Sequence, residues 1–196
     1  MAPGPLARFR LAYDVSELFR RYFINTMFDA TFVVLGIVSA TAVVSEPNVG
    51  ITLGTLGAAC LAIGISSGMS IYEAERLEAE IRLAKLERAM LSALRETDVH
   101  RSLRLYRTLV SLVNFGAPLF VFSVTSLPLA VSFFAGWPAP RQAAQASIVV
   151  ALSLVFASGY ALGKVVGRSA IRQALRMTIA ALLTFLLLVS IQLAFP

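Results

Sequence analysis

A series of long apolar runs restricts the fold of this chain more than any other feature. Windows of high hydropathy lie at residues 24–45, 50–72, 108–135, 143–163 and 177–195. The roughly 30 Å hydrocarbon core of a bilayer requires about 18 or more such residues of a helix. Charged side chains make up only 14% of the chain, whereas a soluble domain carries about a quarter. The sequence therefore predicts an all-α, polytopic membrane bundle of five transmembrane helices.

The positions of the cations predict the orientation of the bundle, because Lys and Arg are retained on the cytoplasmic side of short loops. They cluster in the N-terminal segment, between the second and third spans, and between the last two spans at Lys164, Arg168, Arg172 and Arg176, whereas Arg141 falls on the other side. We therefore expect the N-terminus in the cytoplasm and the C-terminus outside. The net charge of +6 then follows from topology, so the expected partners include membrane lipids but no nucleic acid.

The same runs predict the domain organisation. Residues 1–23 form a cytoplasmic N-terminal segment, 24–72 the first two spans, 73–107 a cytoplasmic helical segment and 108–196 the last three spans. Good helix formers dominate 73–107, without Pro or Gly. We expect the second span to continue as one rod into the cytoplasm, and Thr97 or Asp98 to cap a second helix. We expect these two helices to form a short cytoplasmic helical hairpin.

Asp29 is the acidic residue that lies inside an apolar run, in the stretch FINTMFDATFVV. A carboxylate at membrane depth is costly and usually faces a bundle interior or a watery cavity on an ion or proton path. Asn25, one turn earlier, points the same way. The sequence therefore predicts an ion pathway through Asp29 and Asn25. The alternative is that Asp29 lies at headgroup level, where it caps or pairs with an arginine.

A second candidate site lies where the second span leaves the membrane. The oxygen and thioether donors there suit a borderline or soft cation such as Fe²⁺ better than Ca²⁺, and they are Ser66, Ser67, Met69, Tyr72 and Glu73. Glu73 and Glu80 are seven residues apart on one helix face, and carboxylates from two subunits can hold divalent ions. Glu alternating with Arg is equally typical of a solvated helix, and Met69 of ordinary packing.

Other motifs give no support for enzyme chemistry. The chain has no glycine-rich phosphate loop, no HExxH and no nucleophile elbow, so we expect no enzyme and no bound cofactor. Cys60, the single cysteine, is expected to be a small core residue, and His100 an ordinary surface residue. Glycines four residues apart indicate close helix packing, within one subunit or between two.

Three stretches resemble the vacuolar iron transporter family and the related yeast-type iron and manganese transporters. NTMFDATFVVLGIVSA is similar to the family's N-D-G-x-x-x-x-x-G-x-x-x-G signature, with Asp29 on its aspartate and Gly36 on its glycine. YEAERLEAE resembles the start of its glutamate-rich helix, and GRSAIRQALRMTIAALLT resembles its fifth span. The chain differs in having Phe28-Asp29-Ala30 for the N-D-G triplet and a shorter cytoplasmic segment.

The resemblance implies a homodimer whose ion path runs between the paired first and second spans. It implies export of a divalent metal, iron or manganese, from the cytoplasm in exchange for protons. Asp29 would bind metal and proton in turn, and Met69, Glu73 and Glu80 would be further metal ligands. Two other function classes stay open, a non-transporting scaffold or regulatory membrane protein and a passive cation channel.

Overall fold

The computed structural model describes residues 15–44, 46–90, 98–165, 167 and 169–194, and every regular element in that part of the chain is an α-helix. The helices are α1 (Val15–Val43), α2 (Val49–Met90), α3 (Asp98–Thr125), α4 (Leu127–Ala135), α5 (Pro140–Val165) and α6 (Ala170–Ala194). Five of the described helices, all but α4, are long and apolar enough to cross a membrane. The predicted all-α bundle of five spans is therefore confirmed.

Helix α1 lies at the centre of the bundle. It packs against α2, α3, α5 and α6, and half of its apolar window is buried, against 6% for α6. The shared core is built from small and branched apolar side chains of five helices: Ala30, Val34, Val38, Leu56, Cys60, Ala117, Val121, Leu129, Ala143 and Ala144. Cys60 is a fully buried core residue, as the sequence predicts.

The third apolar run forms two helices rather than one span. Pro128 lacks an N–H and its ring clashes with the carbonyl four residues earlier, so α3 ends at Thr125 and α4 begins at Leu127. Pro118 is tolerated inside α3. Helix α4 ends at Gly136, whose φ of 70° is left-handed and whose N–H donates to the Ser132 carbonyl. The prediction of one span over 108–135 is therefore wrong for the last third of that range, which forms α4.

Helix α2 continues without a break for 42 residues, from Val49 to Met90. Asn48 caps its start, because Asn48 Oδ1 accepts a hydrogen bond of 3.0 Å from the Ile51 N–H. The returning helix α3 begins at Asp98, whereas Thr97, the other predicted cap, lies outside the described residues. The predicted domain boundaries stay predictions.

The last helix begins earlier than the hydropathy window indicates. Helix α6 starts at Ala170 rather than near 177, so Arg172 and Arg176 are exposed residues of α6 and not of a connecting loop. A hydropathy window detects apolar residues and not helix itself. It therefore misses the first turns of α6, where Arg172 and Arg176 are good helix formers but are not apolar. Four arginines of the three predicted cytoplasmic clusters lie outside the described residues: Arg8, Arg10, Arg95 and Arg168.

Contacts show which turns and helix ends lie together at one end of the bundle. At one end, Thr41 Oγ1 lies 3.0 Å from Thr52 Oγ1 across the α1–α2 turn, and a shallow cavity joins that turn to the α4–α5 turn. Gln192, near the end of α6, binds Ser39 of α1 at the same end. Helix α6 therefore finishes at the end opposite the start of α1. Which end faces the cytoplasm stays a prediction from the cations.

Two helix pairs approach closely at glycines. A Cβ at Gly64 would lie 2.9 Å from the Phe115 carbonyl oxygen, and one at Gly163 would lie 2.7 Å from Ala170 Cα. These glycines therefore join α2 to α3 and α5 to α6 within one chain, where small residues let backbones meet. A Cβ at Gly54, by contrast, would have no neighbour within 4 Å.

Candidate cation site

The carboxylate of Asp29 lies on the surface of α1, although α1 is the central helix. Asn25, Asp29 and Val33 are exposed residues on one side of the span Tyr22–Val43, and we call them the Asp29 strip. The Asn25 side-chain amide donates a long hydrogen bond of 3.4 Å to Asp29 Oδ2. Asp29 follows the first residue of the span by seven positions, about 10 Å along the helix axis. The strip therefore includes an ionisable side chain, that of Asp29, within the apolar span.

A contact to α2, which the sequence pattern does not reveal, lies at the end of the strip nearest to Tyr22. Tyr22 precedes Asp29 by two helical turns on the same side, and its hydroxyl donates to Glu75 Oε1 at 3.0 Å. Glu75 is half-buried, whereas Glu73, the predicted ligand two residues earlier, is exposed. Residues two apart on a helix point to different sides. The acidic residue that reaches α1 is therefore Glu75.

Ser66 and Met69, two of the predicted ligands at the end of the second span, lie on the outer side of α2. The side that packs on α3 carries Gly64 and Gly68, and Ser111 Oγ donates to the Gly68 carbonyl at 2.6 Å. Ser66 is exposed and Met69 is 66% exposed. Ser66 and Met69 therefore point out of a single copy rather than into its core.

Of the other predicted donors, Ser67 is half-buried and Tyr72 contacts α3. Ser67 Oγ donates to the Gly64 carbonyl at 3.3 Å, which leaves its oxygen free to accept. The guanidinium carbon of Arg107 lies 5.0 Å from the centre of the Tyr72 ring, a cation–π contact. Tyr72 is therefore engaged with a cation of α3.

Glu73 and Glu80 share a cation of their own helix. Arg76 Nη1 lies 3.7 Å from Glu73 Oε2, and Arg76 Nε lies 3.3 Å from Glu80 Oε1. All three side chains are about half exposed, so these pairs contribute little to stability. A metal ion that binds either carboxylate would therefore compete with Arg76.

One copy of the chain does not assemble a metal site from the predicted residues. The described residues contain no group of three or more His, Cys, Asp or Glu side chains placed to hold one ion. Among the side chains that the structure describes, Asp29 has the hydrogen bond from Asn25 and belongs to neither ion pair of Arg76. Arg20 and Arg21, possible partners of Asp29 in the headgroup alternative, have side chains outside that set. Within the described part of one copy, the predicted ligands therefore do not come together around a single ion.

A buried polar contact anchors α1 beside the strip. Thr26 Oγ1 donates to Asn114 Oδ1 at 2.6 Å, and both residues are buried. Asn114 Nδ2 is buried without a hydrogen-bond partner among the described atoms. Hydrogen bonds between spans hold helices together in lipid. This contact therefore fixes the rotation of α1 that turns Asp29 outward.

Sequence reasoning also missed Gln192, for which a signal was present. Its amide stands in the apolar stretch SIQLAF at the end of the last span. In the structure, Gln192 Nε2 bonds the Gly36 carbonyl and Ser39 Oγ of α1. Glu75 had no comparable signal, because it belongs to a glutamate-rich helix in which pattern does not single out one member.

The fold and the exposed strip define a multi-pass membrane protein with an ionisable residue inside a span. Comparisons with protein-family models, with curated proteins and with solved structures find no match to this chain.

Proposed function

We propose that this chain is a transporter that exports a divalent cation, Fe²⁺ or Mn²⁺, from the cytoplasm in exchange for protons, and that it works as a homodimer. The observation that carries the proposal is the exposed carboxylate of Asp29 on a helix of membrane-spanning length and composition. A charged side chain at the bilayer centre costs about 2.5 to 3.5 kcal/mol on insertion scales. A second copy that covers the Asp29 strip removes this exposure to lipid.

Pairing two strips supplies the donor set that one copy lacks. A two-fold axis beside the strip brings the same surface of both copies together, and with it two Asp29 carboxylates and two Asn25 amides. Oxygen donors of this kind bind hard and borderline divalent ions. Met69, which is largely exposed, adds the softer sulfur donor that favours Fe²⁺ over Ca²⁺ if the partner's surface extends over α2.

In this proposal, the glutamates of α2 collect the cation at the cytoplasmic end of the Asp29 strip, near Tyr22. Among the described side chains, Glu73 and Glu80 are exposed and each pairs with Arg76, so an arriving divalent ion competes with one weak, solvated contact for each carboxylate. Glu75 lies against Tyr22 at the foot of the strip. The route proposed here therefore runs from Glu73 and Glu80 past Glu75 to Asp29.

Proton coupling follows from the cost of leaving Asp29 charged. Either a metal ion or a proton neutralises the carboxylate in the apolar layer. A site that accepts one when it releases the other moves the two in opposite directions. Asn in place of Asp29 keeps the shape and the amide hydrogen bonding but cannot be neutralised by either.

The test is metal flux in liposomes that contain the purified protein, with Fe²⁺, Mn²⁺, Zn²⁺ and Co²⁺ offered with and without a pH difference. We expect flux that depends on the pH difference in the parent protein. Flux should fall by about tenfold or more in Asp29→Asn, which corresponds to ~1.4 kcal/mol of lost stabilisation. Glu46→Gln is the matched control, because Glu46 is an exposed carboxylate in the outer turn.

Each alternative class has its own result in this assay. Flux that is indifferent to the pH difference identifies a passive channel. No flux of any of the four ions identifies a non-transporting scaffold. Parental flux in Asp29→Asn refutes the site, and leaves Asp29 as a residue that pairs with an arginine at headgroup level.

A further inference from the structure

The last turns of α6 cover α1 directly above Asp29. Gly36 follows Asp29 by seven residues, which places it two turns further along the same side, about 10 Å away. A Cβ at Gly36 would lie 3.7 Å from Leu188 Cδ1. Gln192 Nε2 donates to the Gly36 carbonyl at 3.0 Å and to Ser39 Oγ at 2.9 Å. Two turns beyond Asp29, the same side of α1 is therefore covered by the side-chain amide of Gln192.

Hydrogen-bond chemistry fixes which way this amide is turned. The Gly36 carbonyl can only accept, and it also accepts from Ser39 Oγ at 2.9 Å. The group of Gln192 that faces it must therefore be the NH₂, since an amide oxygen there would meet a second acceptor. Both N–H groups of Gln192 are then used. Its Oε1 atom is buried and has no hydrogen-bond partner among the described atoms.

A buried acceptor without a donor costs about 1 to 3 kcal/mol, and a cation bound to Gln192 Oε1 would remove this cost. Ser39 Oγ donates a hydrogen bond to the Gly36 carbonyl and accepts one from Gln192 Nε2, which leaves it one lone pair for a ligand. Both oxygens are neutral. Amide and hydroxyl oxygens are accepted ligands of hard divalent cations, which retain several of their waters at such sites.

We propose that Gln192 Oε1 and Ser39 Oγ form a second, uncharged cation station at the outer end of the Asp29 strip, which takes the partly hydrated divalent ion after it leaves Asp29. This inference rests on the proposed transport function. A neutral station is suited to an exit, because conduction needs binding strong enough to admit the ion and weak enough to release it. A second carboxylate at this place would hold the ion too tightly.

A purely mechanical role for Gln192 makes a different prediction. If the amide only clips α6 to α1 through its N–H groups, then Gln192→Glu and Gln192→Leu fail alike, because ionised Glu has no N–H. If the oxygen binds the ion, Gln192→Glu keeps binding and holds the ion longer, whereas Gln192→Leu loses it. The two substitutions therefore separate the clip from the ligand.

Protection of a thiol beside the station measures binding without reference to flux. A Leu188→Cys substitution in a Cys60→Ala background places a thiol against Gly36, one turn before Gln192. The rate of its modification by a water-soluble thiol reagent is measured in liposomes with and without Mn²⁺. Gln145→Leu, which removes an exposed amide from α5, is the matched control in the same background.

We expect Mn²⁺ to slow modification with Gln192 intact, in Gln192→Glu and in Gln145→Leu, but not in Gln192→Leu. With Leu188 and Cys60 intact, Gln192→Leu should also lower Mn²⁺ flux by about tenfold. Equal protection in Gln192→Leu, no protection with Gln192 intact, or loss of protection in Gln192→Glu each overturns the station. Flux without protection overturns the station alone, whereas protection that depends on Gln192 without flux overturns transport and leaves the cation site standing.

Discussion

A methyl group added at Gly159 is expected to force α5 and α6 apart. An ideal Cβ there would lie 2.9 Å from Ala174 Cα and 3.1 Å from Met177 Sδ. Met177 can swing aside, but Ala174 Cα is backbone and cannot move without α6. Ordinary Cβ contacts begin at 3.4 Å, so the two backbones must separate by about 0.5 Å.

The size of the effect follows from comparing this substitution with one where the methyl group meets nothing. Gly→Ala inside a helix gains up to about 1 kcal/mol of helix propensity, and Gly54→Ala carries the same gain with no neighbour within 4 Å. The difference between Gly159→Ala and Gly54→Ala is then the overpacking cost, about 1 to 3 kcal/mol. Ala174 and Ala181, the buried residues of α6, lose contact first.

Cys60 supplies the assay, because it is the single cysteine of the chain and is fully buried. Protein in mild detergent is heated with a thiol-reactive dye, and the midpoint of labelling reports loss of the core. Gly159→Ala should label at a clearly lower temperature than the parent protein, and Gly54→Ala should not. Equal midpoints for the two variants would show that α5 and α6 separate without cost, and would refute the reasoning.

Two further predictions concern the rotation of α1 and its exposed side. Thr26→Val should cost about 1 to 3 kcal/mol, because it leaves buried Asn114 Oδ1 without a donor, and adding Asn114→Leu should recover part of this loss in the same thermal assay; strictly additive losses would contradict the contact. Val33→Cys in a Cys60→Ala background should form a disulfide between copies in membranes, whereas Val149→Cys, which is exposed on α5, should not. Equal cross-linking of both would contradict a dimer formed through the Asp29 strip.

Sequence pattern alone predicts the helical class, the number of spans and the presence of a carboxylate inside the first span. These properties depend on run length and residue type, which are local, because lipid demands a minimum apolar length of every helix that crosses it. The break at Pro128 shows that hydropathy alone does not predict where a helix ends. The run over 108–135 stays apolar throughout, and a proline's missing N–H rather than polarity divides it.

The rotation of each helix is set by tertiary structure, because it depends on which neighbours a helix packs against. Spacing places Asn25 and Asp29 on one side of α1, but the buried Thr26–Asn114 contact turns that side outward. Glu73 and Glu75 are equal in a glutamate-rich pattern, yet packing of α2 brings Glu75 to Tyr22. Gln192 meets Ser39 across 153 positions of chain, a separation over which local residue pattern carries no information.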